Sequence, residues 1–175
     1  MKAVDYTLDD EIKEVYARFG LAVYLAQVLE HGIVNALVLL DLIPRRRHLV
    51  HSREEWAEVV EAFMGRHFRK TLGAMMKSLQ SITEVPPDLE DLLRQALQQR
   101  NRLAHDFFRE RSEDFMTSSG RERMLVEIDE SKSLFEAADK RLDEVVHPLR
   151  DLYGLTDEVL RRELERMKAR ASHDV

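Results

Sequence analysis

The sequence predicts an all-α fold, and three observations carry that prediction. Apolar residues recur at spacings of three and four, no stretch sustains an alternation of two, and serine, threonine and proline signals for helix ends punctuate the chain. Thr7 can cap a first long helix whose opening turn holds Asp9, Asp10 and Glu11, where the helix dipole favours acid, and Pro44 is expected to end it. Its stretch from Leu21 to Ile43 has the length of a membrane span. Gln27, Glu30, His31, Asn35 and Asp41 interrupt that stretch, and charge at membrane depth is costly, so a core helix surrounded by other helices is expected, with no membrane partner.

Residues 45–51, RRRHLVH, form a basic connection. Ser52 with Glu55 makes a capping box that opens a helix reaching about Gly65. Residues 66–82 keep a helical pattern, but Gly65 and Gly73 predict a break or a short separate helix. Pro86 and Pro87, followed by Asp88, Glu90 and Asp91, start a helix expected to reach Phe115. Ser119 with Glu122 reads as another capping box, and Leu125, Ile128, Phe135, Ala138, Leu142 and Val145 follow at helical spacing until Pro148. Thr156, Asp157 and Glu158 start a last helix rich in arginine and glutamate. The expected architecture is an antiparallel four-to-five-helix bundle over residues 1–150, with an accessory helix over 151–175.

At 175 residues the chain suits one domain with one sizeable core. Its 33 acidic and 27 basic residues leave a net charge of -6, which argues against broad nonspecific binding to a polyanion and leaves room for a local basic groove. There is no cysteine, so disulfides and thiolate chemistry are excluded and a reducing cytosol fits. The first twenty residues carry early acid and no apolar signal core, which together with the missing cysteine predicts a cytoplasmic protein. His48, His51 and His67 are too few ligands at productive spacing, and neither HExxH nor a glycine-rich phosphate loop occurs, so neither metal nor cofactor is expected.

One stretch breaks the pattern. Residues 98–108, QQRNRLAHDFF, place Arg100 near the centre of the face formed by Leu89, Leu93, Ala96, Leu103, Ala104 and Phe107. A substantially buried arginine is expected there, and it needs a carboxylate, a ring of acceptors or a bound anion. Asn101 and His105 lie one turn apart on the flank of that face. On the first helix, Glu30 is the first choice of counter-charge, with His31 and Gln27 as secondary contacts. A buried Arg–Glu pair that fixes helix register accounts for these residues without any reaction. Phe107 belongs to the buried face, and Phe108 is expected to pack at a dimer seam rather than to stack on bases.

The run Arg100-Asn101-Arg102-Leu103-Ala104-His105 resembles the RNxxxH-type signature of the HEPN superfamily, and the helical layout of residues 8–148 is similar to that family's bundle. The resemblance implies metal-independent RNA cleavage by a homodimer whose two motifs face each other, of toxin or RNA-processing type, in some members beside a cognate antitoxin. Carried over residue by residue, His105 is the general acid/base, Arg100 stabilises charge on the scissile phosphate, and Asn101 orients the histidine or the phosphate, with Glu30, His31 and Arg102 in support. Arg94, Arg102, Arg109 and Arg111, with Arg45 to Arg47, offer a local patch for RNA. The rival expectation is a noncatalytic interaction or regulatory module in which the same residues form a structural or nucleotide-binding polar cluster.

Overall fold

A computed structural model describes residues 8–172, and every regular element among them is helical. The expected Thr7 cap lies outside the described residues. Helix α1 (Leu8–Leu37) carries three acids in its first turn and buries Val15, Ala22, Leu29, Ile33 and Leu37. Pro44 does not stop it. The helix widens into a π turn over Val38–Leu42, with the Ile43 amide donating to the Val38 carbonyl, and continues through α2 (Ile43–Arg46) into a 3₁₀ turn, Arg47–Leu49. A proline at 44 has no N–H for the carbonyl four residues earlier and its ring collides with it, and a wider turn relieves both problems.

Ser52 caps α3 (Arg53–Phe68), its hydroxyl accepting the Glu55 amide at 3.0 Å, while the Glu55 carboxylate accepts the His51 amide at 3.1 Å. The capping box is thus closed one residue earlier than the standard pattern. Gly65 lies inside α3; the chain turns only at Arg69 and Lys70, and Thr71 caps α4 (Leu72–Gln80). Helix α5 (Pro87–His105) starts at the proline pair as expected but stops ten residues short of Phe115. Asp106 leaves helical geometry at φ -125°, ψ -26°, and the short helices α6 (Phe107–Glu110) and α7 (Ser112–Phe115) turn the chain. Thr117, two residues before the expected Ser119, caps α8 (Ser118–Leu152), its hydroxyl accepting the Gly120 amide at 3.1 Å. Pro148 sits inside α8, which ends at a Schellman turn: Gly154 takes φ 75°, and the Leu155 amide reaches the Arg150 carbonyl at 2.8 Å. Thr156 caps α9 (Asp157–Ala171), which buries no residue.

Side-chain links fix the directions of the helices. Glu30 meets Arg100 while Phe19 meets Phe107, so α5 runs antiparallel to α1. Arg141 meets Asp88 while Arg102 meets Glu127, so α5 is also antiparallel to α8. Glu11 pairs with Arg121 and Arg18 with Asp129, so α1 and α8 run parallel, side by side. This pairing departs from a purely antiparallel bundle, in which neighbours always reverse. The core lies between these three helices and α4, filled by Leu29, Ile33, Leu89, Met124, Ile128 and Phe135. The run Leu8–Leu49 is long and apolar enough to cross a membrane, with a mean hydropathy of 1.6 in its most apolar window, yet α1 also packs on α8, α5, α4 and α3.

Candidate functional site

The polar group at the α1–α5 crossing is built from two helical faces. The apolar stripe of α5 buries Leu89, Leu93, Ala96 and Leu103, and Phe107 follows in α6. Ala104 of the expected face is exposed. Arg100 lies on the edge of that stripe and keeps 34% of its side chain exposed, so it is half-buried rather than substantially buried. The stem covers apolar surface while the guanidinium reaches the rim, which spares the full cost of burying a charge.

At the rim Arg100 Nε donates to Glu30 Oε1 at 3.2 Å, and Nη1 donates to Asn101 Oδ1 at 3.4 Å. Nη2 has no hydrogen-bond partner among the described residues. Gln27, Glu30 and Arg100 line a crevice of about 120 Å³ with Val23, Ala26, Leu103 and Ala104. Asn101 is exposed beside it. His105 is exposed on the last turn of α5, makes no hydrogen bond among the described residues, and does not line the crevice.

Two residues expected to support the site are turned elsewhere. His31 packs on Phe68 of α3 with the rings tilted and their centroids 4.5 Å apart, because one position along α1 rotates it about 100° away from Glu30. Arg102 donates to Glu110 at 2.8 Å and to Glu127 at 2.9 Å, and its guanidinium covers the Phe107 ring at 5.4 Å. Burial pushes the Glu127 carboxyl up, but the hydrogen bonds from Arg111 and Arg102 together outweigh it and hold the group below its ordinary value. Arg109 and Arg111 are also paired, with Asp106 and Glu127. Of the expected basic patch beside the motif, Arg102, Arg109 and Arg111 are thus neutralised locally. Phe108 packs within the chain, 4.8 Å from Phe19 and 5.8 Å from Tyr16.

The most buried arginine is one the motif did not point to. Arg121, 5% exposed, donates to both Glu11 and the Phe115 carbonyl, the latter at 2.8 Å. Its signal was present: position 121 falls three residues before Met124 and seven before Ile128, on the buried stripe of α8. Among the described residues no group of three or more His, Cys, Asp or Glu is placed to hold a metal ion. In comparison with known proteins, the chain matches no family model, no curated protein and no solved structure.

Proposed function

We propose that the chain is a metal-independent endoribonuclease of HEPN type, acting as a homodimer in which two copies of the α5 motif form one cleft. The observation that carries this reading is the state of Arg100: its Nε is anchored on Glu30, its Nη2 has no partner among the described residues, its side chain is 34% exposed, and an exposed His105 without a hydrogen bond among the described residues stands on the same helix. An anchored, partly exposed guanidinium is suited to a phosphate oxygen. In the proposed reaction His105 removes the proton from a ribose 2′-hydroxyl, the 2′-oxygen attacks phosphorus, and the bond to the 5′-oxygen breaks. That oxygen takes a proton from the imidazole of the partner copy, leaving a 2′,3′-cyclic phosphate and a 5′-hydroxyl. Arg100 stabilises charge on the phosphorane oxygens, and Asn101 orients the phosphate. DNA lacks the attacking hydroxyl and is not a substrate. A cognate antitoxin covering this guanidinium fits the same reading.

A second reading rests on the same ion pair. The Glu30–Arg100 contact by itself fixes the register of α1 against α5, which supports a noncatalytic interaction or regulatory module with a structural polar cluster. Incubating purified protein with a mixed RNA pool in EDTA separates the two. Cutting to cyclic-phosphate ends, lost in His105→Ala, supports the nuclease; no cutting by folded, dimeric wild-type protein leaves the interaction module.

A further inference from the structure

Another concave feature lies on a different face of α1 and shares no lining residue with the Arg100 crevice. It is a cleft of about 490 Å³ between α1, α3, α8 and α9, within the size range of small-molecule sites. Its walls are apolar: Val38 from the π turn, Val60 and Met64 from α3, Leu142 and Val146 from α8, and Leu160 from α9. Asp139 of α8 opens into it, half-buried, with neither hydrogen bond nor ion pair among the described residues.

That carboxylate is held in an unfavourable place. Gly32 of α1 packs so closely that a Cβ there would stand 2.7 Å from Asp139 Oδ1. Among the described residues, the charged or titratable groups lining the cleft are His31 from α1 and Asp139, Asp143 and Arg150 from α8, while α3 and α9 present only apolar side chains. Arg150 forms no ion pair with Asp139: its Nη1 and Nη2 are engaged by Asp143 at 2.7 Å, His147 at 2.7 Å and Asp157 at 3.1 Å, and its buried Nε has no partner among the described residues. The lining carries two carboxylates and one arginine, and burial first and Asp143 second raise the Asp139 carboxyl above its ordinary value.

We propose that this cleft is a binding site for a small organic cation, a protonated aliphatic amine whose ammonium pairs with Asp139 and whose hydrocarbon body lies against Val60, Met64 and Leu142. An ammonium supplies the missing counter-charge, and the chain it carries removes apolar wall from water. An anion meets the unpaired Asp139 carboxylate, and among the described residues no group of three His, Cys, Asp or Glu is placed to hold a bare metal ion. Gly32 belongs to the site as the residue that leaves room for the carboxylate to face the cleft.

The test is a chemical-shift titration of the full-length ¹⁵N-labelled protein with n-hexylammonium, alongside uncharged n-hexanol. The expected result is saturable shifts at the Gly32, Asn35, Asp139 and Leu142 amides, with at least tenfold weaker binding of hexanol and at least tenfold weaker amine binding by Asp139→Asn. Equal affinity for hexanol on the wild-type chain overturns the proposal without recourse to any variant. So does unchanged amine affinity in Asp139→Asn, or the absence of saturable shifts around the cleft. None of these readouts involves RNA or the α5 motif, so the proposal stands or falls separately from the nuclease reading.

Discussion

Arg100 gives Glu30 its Nε and leaves Nη2 of the same guanidinium without a partner among the described residues. Cutting that tie should therefore affect chemistry more than stability. With a third of the Arg100 side chain exposed, solvent screens the pair, and Glu30→Gln should cost no more than about 1 kcal/mol in urea unfolding. If Arg100 faces a scissile phosphate, Arg100→Lys, which keeps charge but loses the planar fork, should lower RNA cleavage by roughly a hundredfold at nearly unchanged stability. A stability loss of several kcal/mol in Glu30→Gln, with cleavage unaffected in Arg100→Lys, would mark the pair as purely structural.

Gly120 is fixed by backbone rather than by side chains. A Cβ at this position would fall 2.0 Å from the Asp114 carbonyl oxygen and 2.6 Å from two further backbone atoms of that residue, because α7 folds back onto the first turn of α8. Gly120→Ala should destabilise by about 3 kcal/mol, since neither chain can yield without losing the Thr117 cap. Gly65, inside α3 with nothing within 4 Å of its added Cβ, is the matched control: Gly65→Ala should stabilise by about 0.5–1 kcal/mol. Thermal melts of both variants decide the contrast.

Arg121 closes the same end of the bundle. Its guanidinium joins α8 to Glu11 on α1 and to the Phe115 carbonyl that ends α7. Arg121→Ala should cost about 2–4 kcal/mol, since it leaves a carbonyl unpartnered and removes a nearly buried side chain. Hydrogen bonds from Arg121 and then Ser118 hold the Glu11 carboxyl below its ordinary value. Such a group stabilises the fold above its unfolded value and loses that contribution as pH falls through the depressed one. Acid unfolding of Arg121→Ala should accordingly begin at higher pH than that of the wild type.

The helix periodicity and the partner for Arg100 were legible in the residues, because both follow from spacing on one or two helices. Helix ends were less so. Thr117 displaces Ser119 as the cap of α8 because Gly120 must sit against Asp114, a contact visible only after α7 has turned back. Pro44 and Pro148 are tolerated because apolar flanks, Leu42 and Ile43 in one case and Val146 in the other, hold the helix against its neighbours despite the lost hydrogen bond. The break at Asp106 was hidden by a helical pattern that continues through Phe107 and Phe108; both rings pack on Phe19 of α1, which needs a turned chain. The parallel placement of α1 and α8 depends on ion pairs more than a hundred residues apart, beyond the reach of local pattern.

Asp139 should set a pH dependence opposite in sign to that of Glu11. Its carboxyl is raised in the folded protein by burial first and by Asp143 second, so between the unfolded and folded values the native state holds the proton more tightly. Stability from this group is fully present below the unfolded value and declines as pH rises through the raised folded one, leaving the ionised carboxylate a net burden at neutral pH. Asp139→Asn removes that burden, so the variant should melt above the wild type at pH 7. The advantage should vanish on acidification, once the wild-type carboxyl is protonated and equally neutral. Paired melts from pH 4 to pH 8 test the crossing: a constant offset at every pH would assign the gain to packing beside Gly32 instead of charge. Saturating hexylammonium should narrow the neutral-pH gap by stabilising the wild type more than the weaker-binding variant, because a bound cation favours the state that holds the carboxylate ionised.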